Sequence, residues 1–250
     1  MVQWNNCDRR SFLKFIGLSA ASLGLSASAE TALGELINKN TTPPKKPNIV
    51  LIMGDDLGYE CLGCYGSSSY KTPVLDNLAE TGVRFTQCHA QPLCTPSRVK
   101  IMTGKYNLHN YERFNYLNPQ ETTFANILKD AGYSTCIAGK WQLNGQSNDA
   151  KIPTNFGFDE HCLWQLNSFP VSERGYRYAD PTLYKNGKRL EETLNGKYGP
   201  DICCDFIVDF MERKKSEPFF AYYPMILTHD PFVPTPDSPE WETAGYDRHK

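Results

Sequence analysis

After Asn48, Ile49-Val50-Leu51-Ile52-Met53 is an unbroken apolar run, stopped by Gly54 and followed at once by two acids, Asp55 and Asp56. A run this short and this apolar, rich in β-branched residues, reads as a strand. Continuous rather than alternating apolarity predicts a parallel sheet covered on both faces. The pattern then recurs. Thr72-Pro73 predicts a helix start, with Thr as cap and Pro at the first helical position, and Gly82 ends that helix after Thr81. Val83 to Thr86 reads as a further strand, and a short helix is expected from about Ser97 to Gly104. Thr122-Thr123 opens the next helix, which Gly132 closes. Tyr133 to Ala138 reads as a strand ending at Gly139-Lys140. Residues 201–215 place Ile202, Cys203, Phe206, Ile207, Phe210 and Met211 on one helical face. Arg213, Lys214 and Lys215 fall in its last turn, favourable against the helix dipole. Phe219 to Tyr223 is the next strand. Residues 146–200 are weakly patterned and are expected to be loop-rich. Alternating strands and helices predict an α/β sandwich with a central, mostly parallel sheet flanked by helices.

The chain has 250 residues, 40% hydrophobic and 22% charged, an ordinary globular balance with room for one large domain. A net charge of −2 gives no basic face for nucleic acid. Residues 1–29 read as an export signal: Arg9-Arg10 with Ser11-Phe12-Leu13-Lys14 is twin-arginine-like, the apolar stretch Phe15 to Leu25 is too short to span a bilayer, and Ala27-Ser28-Ala29 offers a cleavage site. Residues 30–46 read as a linker, and 47–250 as the folded domain. The reading predicts export to the periplasm or the extracellular space, with the export machinery as a partner and no stable membrane insertion. Export permits disulfides among Cys61, Cys64, Cys88, Cys136, Cys162, Cys203 and Cys204, but spacing assigns no pairs. Cys61-x-x-Cys64 lacks the second Cys or His pair of a zinc site. Cys203 and Cys204, in a helical pattern, read as small apolar residues.

The chemistry-bearing residues share one kind of position. Asp55 and Asp56 follow the first strand, Lys140 follows another, and His229 follows the last. Ligands in open α/β sheets bind beyond the carboxyl ends of the strands, so these chain-distant groups should converge. Two carboxylates on an abrupt turn suit calcium or magnesium. Cys94 lies just before a helix start, where unpaired amides favour an oxyanion. Arg98, four residues on, falls on the same helical face and can neutralise charge. His229 titrates in the range useful for proton transfer to a leaving group.

Cys94-Thr95-Pro96-Ser97-Arg98 with Met102-Thr103-Gly104, Asp55-Asp56 upstream and Gly139-Lys140-Trp141 downstream resembles the type I sulfatases, of the alkaline phosphatase superfamily. The resemblance runs from Lys46 to about Pro236. It implies an alkaline-phosphatase-like fold, here incomplete at its C-terminus, and hydrolysis of an aryl or carbohydrate sulfate. It implies that Cys94 is oxidised to formylglycine by a maturation enzyme, and that Asp55, Asp56 and the hydrated residue 94 ligate calcium rather than magnesium. One hydroxyl of that hydrate would attack sulfur, the metal and Lys140 would withdraw charge, Arg98 would hold the hydrate, and His229 would protonate the leaving alcohol. The second hydroxyl would then expel sulfate. A sulfated small molecule or glycan is the implied substrate.

Gln142 stands where the family's Gly-Lys-Trp-His-Leu-Gly segment has histidine. As a substrate-side residue it can hydrogen-bond but cannot shuttle a proton. Lys105 and His109 are expected at most to position the signature, and His89, His161 and His249 have no comparable support. Rim loops around Trp164, Tyr176 and Tyr178 are expected to set specificity. Some phosphonate monoester and phosphodiester hydrolases also use formylglycine, which leaves that activity as an alternative. The resemblance also places a second metal-ligand pair, a later lysine and a small C-terminal domain beyond this sequence. A second alternative is therefore an inactive fragment or binding protein, for which the 250-residue piece alone would release no sulfate.

Overall fold

The structure is a computed structural model that describes residues 46–166, 177–191, 196–241 and 243. The chain divides into a segment Met1–Lys46 and a compact unit Pro47–Lys250; the export signal and nearly all of the linker lie outside the described residues.

Six strands form one sheet: β1 (Ile49–Met53), β2 (Ser134–Lys140), β3 (Glu160–Trp164), β4 (Leu183–Lys185), β5 (Lys188–Arg189) and β6 (Phe219–Pro224), in the order β1-β6-β2-β3-β4-β5. The first four strands in that order are parallel, and β4 and β5 are antiparallel. The helices are α1 (Pro73–Thr81), α2 (Cys94–Thr103), α3 (Phe124–Asp130), α4 (Ile152–Asn155) and α5 (Gly199–Lys214), with two short 3-10 turns at Tyr59–Cys61 and Gly63–Tyr65. The expected α/β sandwich with a mostly parallel sheet is what forms.

Strand alternation divides the core into two layers. Ile137, Phe220 and Tyr222 face one side, where they pack with Val99 and Met102 of α2 and Ala125 of α3. Cys136, Ala138, Phe219 and Ala221 face the other, under Cys203, Phe206, Ile207 and Phe210 of α5. The apolar stripe read in 201–215 is therefore the face that α5 buries, and the Phe210 and Phe219 rings meet edge to face at 6.0 Å. Ile202 and Met211 pack at its margin. Cys203 is buried, but Cys204 lies on the exposed side of α5 and is no core residue.

Four expectations are corrected. First, β1 is an edge strand. Ile49, Leu51 and Met53 pack on the core, but Val50 and Ile52 are 44% and 60% exposed; the apolar run is covered on one face only. Second, residues 83–86 form no strand, because Val83 and Phe85 are solvent-exposed and no strand pairs with them. Third, α2 starts at Cys94, three residues before Ser97. Pro96 falls in its first turn, where its missing N–H costs nothing. Fourth, the Thr72 hydroxyl does not cap the free amides of α1. It accepts from the Gly63 N–H and donates to Asp76 Oδ1 instead. By contrast, Thr123 caps α3 with a reciprocal bond from Asn126. The stretch 146–200, expected to be loop-rich, contains β3, β4, β5 and α4.

Candidate active site

The carboxyl ends of β1, β2 and β6 bring the predicted residues together. Asp55, two residues past β1, is buried. Its backbone exchanges hydrogen bonds with the segment after β6: its N–H donates to Leu227 C=O at 2.8 Å, and its C=O accepts from Thr228 N–H at 2.7 Å. This lattice sets the acid pair beside His229. Lys140, the last residue of β2, places Nζ 2.7 Å from Asp55 Oδ2. The Arg98 guanidinium reaches across from α2, with Nη1 donating to the Lys140 carbonyl at 2.8 Å and Nη2 lying 3.5 Å from Asp55 Oδ1. All three side chains are essentially inaccessible to solvent. Burial of such a cluster is tolerated because the Asp55 carboxylate pairs with both cations, although one positive charge is left in excess.

Gly139 explains how Lys140 gets there. Its φ is +120°, and a Cβ would sit 2.0 Å from the Pro224 carbonyl oxygen. Only glycine lets β2 and β6 approach closely where both end at the site.

Cys94 is the first residue of α2, and its Sγ donates to Gln142 Oε1 at 3.2 Å. Gln142 has φ +51°, and Asp56 has φ +56°. Two non-glycine residues in the left-handed region mark a constrained site. Ser97, the signature residue without an assigned role, is a clamp. Its hydroxyl accepts from the Gln91 N–H at 3.0 Å and stands 2.9 Å from the Leu93 carbonyl. It pins the loop that enters α2, while Asn107 Nδ2 donates to the Pro96 carbonyl. A cavity of about 270 Å³ is lined by Asp55, Asp56, Gly58, Pro92, Cys94 and Ser97, among others.

Asp56 is exposed and meets His229 across the opening, with Oδ2 to Nε2 at 3.3 Å. The other ring nitrogen, Nδ1, lies 2.7 Å from Asp230 Oδ1 and 2.7 Å from the Asp230 carbonyl. Asp56, His229 and Asp230 thus form a cluster able to hold a cation. The sequence reading had not singled out Asp230. Below the site, Tyr222 is buried, and burial pushes its phenol up to about 12. It therefore stays neutral beside Arg98 and Asp55.

Two further residues come from the segment before β4. Arg177 stacks on the Trp164 ring at 4.6 Å and directs Nη1 to within 3.8 Å of Asp55 Oδ2. The Tyr178 hydroxyl donates to the His229 carbonyl, and burial raises its phenol to about 12. Trp164 and Tyr178 are buried, so they support the site rather than rim it; Tyr176 lies outside the described residues. Lys105 is paired with Glu121 at 2.5 Å and His109 is exposed.

The donor set fits a hard divalent cation. Asp55 and Asp56 share the cavity with Cys94, and each carboxylate retains unused lone pairs beyond its present partners. Position 94 opens the helix that carries Arg98 one turn on. Arg98 Nε and Nη2 are buried with no hydrogen-bond partner, and such donors require an acceptor.

The sulfatase family matches this sequence over residues 47–249. The chain belongs to the sulfatase family. An N-acetylglucosamine-6-O-sulfatase of Bacteroides thetaiotaomicron is 33% identical over 212 residues, covering 83% of this chain and 35% of that relative. Human arylsulfatase D is 43% identical over 132 residues, 46% of this chain and 22% of its own length. This chain thus spans about a third or less of these two sulfatases. A protein solved in complex with its substrate D-glucosamine-2-N,6-O-disulfate superposes with a TM-score of 0.64 at 33% identity, over 77% of this chain and 36% of that one. Ps i-CgsB, in complex with a neocarrahexaose, superposes at 0.65 with 27% identity, over 76% and 47%. Arg177 had no signal in the sequence, since it sits in a stretch without periodicity or motif, and Tyr178 was expected in a rim loop rather than under the site.

Proposed function

We propose that the protein carrying this chain hydrolyses sulfate esters of a carbohydrate or aryl alcohol, with Cys94 converted to formylglycine. The observation that carries this reading is the shared cavity of Cys94, Asp55 and Asp56, backed by Lys140 and Arg98. Asp55, Asp56 and residue 94 would hold calcium, with magnesium the poorer fit to so open a set of oxygen donors. When present, calcium would withdraw charge from the sulfuryl oxygens, and a hydrated aldehyde at position 94 would supply one hydroxyl for attack and a second for release of sulfate.

The chain's own residues do the rest. Lys140 Nζ offers fixed positive charge where the transferring group gathers negative charge. The unpartnered N–H groups of Arg98 hold the oxygen at position 94. Gln142, already hydrogen-bonded to the Cys94 side chain, orients that residue but moves no proton. His229 is oriented through Nδ1 by Asp230 and presents Nε2 toward Asp56, the side from which it donates a proton to the leaving alcohol. The likeness to an N-acetylglucosamine-6-O-sulfatase over 83% of this chain makes a glycan sulfate the first substrate to try.

The same proposal includes export by the twin-arginine-like residues 1–29 to the periplasm or beyond, after a maturation enzyme has acted on Cys94. No helix among the described residues is long and apolar enough to cross a membrane. The test is a substrate panel on the protein from its whole reading frame, co-expressed with a formylglycine-generating enzyme. Faster turnover of 4-nitrophenyl sulfate and N-acetylglucosamine 6-sulfate than of an aryl phosphonate is expected. Preference for the phosphonate would transfer the chain to the other formylglycine chemistry.

A further inference from the structure

We infer that Arg177 is a substrate-binding residue that grips the sulfuryl group together with Lys140; this rests on the function proposed above. Three cations face a single buried carboxylate. Lys140 and Arg98 already neutralise Asp55, at 2.7 Å and 3.5 Å. Arg177 stands third, 3.8 Å from Asp55 Oδ2, and makes no hydrogen bond to it. Its Nη1 is buried and has no hydrogen-bond partner at all. A desolvated guanidinium N–H without an acceptor is costly, and an arriving oxyanion would supply one.

The arginine is held there on purpose of shape, not by chance of a flexible side chain. The guanidinium lies over Trp164 at 4.6 Å, a ring that is itself buried at the end of β3. Stacking fixes the plane and leaves the edge N–H groups free for oxygens. Tyr178, the next residue, is tied to the His229 carbonyl, which anchors the segment to the site from its other end. Arg177 Nη1 and Lys140 Nζ both reach the same atom, Asp55 Oδ2. They are therefore close enough together for one tetrahedral oxyanion to accept from both. The surplus positive charge around Asp55 selects an anion, and a planar donor fork beside a point charge suits the oxygens of a sulfuryl group.

The test uses the whole protein, matured and calcium-loaded, with two variants: Arg177→Met, which keeps an apolar stem on Trp164, and Arg177→Lys, which keeps the charge. Steady-state turnover of 4-nitrophenyl sulfate is measured with inorganic sulfate as product inhibitor, and inorganic sulfate binding is measured separately by calorimetry. Arg177→Met is expected to lower kcat/KM by about 10- to 100-fold, chiefly through KM, and to weaken sulfate by a similar factor. Arg177→Lys recovers part of both. A folded Arg177→Met protein with sulfate affinity and KM within about twofold of the parent overturns the inference, as does a parent that binds no sulfate. Should the parent bind sulfate through Arg177 yet turn over no sulfate ester, the anion site stands and the proposed function falls.

Discussion

Asp55 is the residue on which most of the site depends. It faces Lys140, Arg98 and Arg177 and has a side chain only 2% exposed. Asp55→Asn removes its charge but little of its shape, leaving buried ammonium and guanidinium groups uncompensated. Breaking such a cluster costs about 3–5 kcal/mol. The neighbouring Asp56 is 58% exposed, so Asp56→Asn should change stability by no more than about 0.5 kcal/mol. Urea unfolding of chelator-treated protein compares the two without metal. Equal losses would mean that Asp55 does not neutralise the buried cations. Both substitutions should weaken calcium binding, which separates the metal role from the packing role.

At the scale of elements, β2 and β3 are locked at their starts by Asp159. Its carboxylate accepts from Thr135 N–H and hydroxyl, both at 3.0 Å, and pairs with Lys129 Nζ at 2.6 Å. Burial alone would raise this carboxyl, but the bonds from Lys129 and Thr135 outweigh it and hold it below the usual range. A lowered folded value stabilises the fold above the unfolded pKa of about 3.9, and that contribution is lost as pH falls through the folded value. Asp159→Asn should therefore be less stable than the parent at pH about 7, and the gap should shrink below pH about 4. A gap independent of pH contradicts this account. The same element was invisible in the sequence. Glu160 to Trp164 holds polar and apolar residues without alternation, because β3 is buried on both faces and paired with two strands. β1, β2 and β6 were legible as short apolar runs, β1 stopped by Gly54 and β2 closing on Gly139-Lys140, while the aromatic run of β6 ends at Pro224. The helix of residues 201–215 was legible because its stripe is buried against a sheet. Val83 to Thr86 misled because β-branched and aromatic residues there are simply exposed. Arg177 could not be found, since its position depends on a ring stack and on a fold brought together from four separate strands.

At the scale of the whole molecule, β1 leaves an apolar outer face exposed. Val50 and Ile52 are exposed on an edge strand, and a second cavity of about 660 Å³, lined by Ile52, Met53, Ile101 and Tyr106 among others, lies alongside. An exposed apolar edge recruits other chains. The 250-residue chain by itself should self-associate, and Ile52→Lys should shift it toward monomer in light scattering; no change would mean that the edge is already satisfied. The site stands at the same end of the sheet, where Asp55, Cys94, Lys140 and His229 arrive from four distant parts of the sequence. That convergence is the central claim, and one experiment reaches it directly: sulfate release by the protein from its whole reading frame, matured in a formylglycine-generating host, compared with Cys94→Ala and with chelated enzyme. The account predicts loss of turnover by about 10³-fold or more in Cys94→Ala, loss on chelation, and recovery when calcium is returned. Sulfate release that survives both Cys94→Ala and chelation would contradict it.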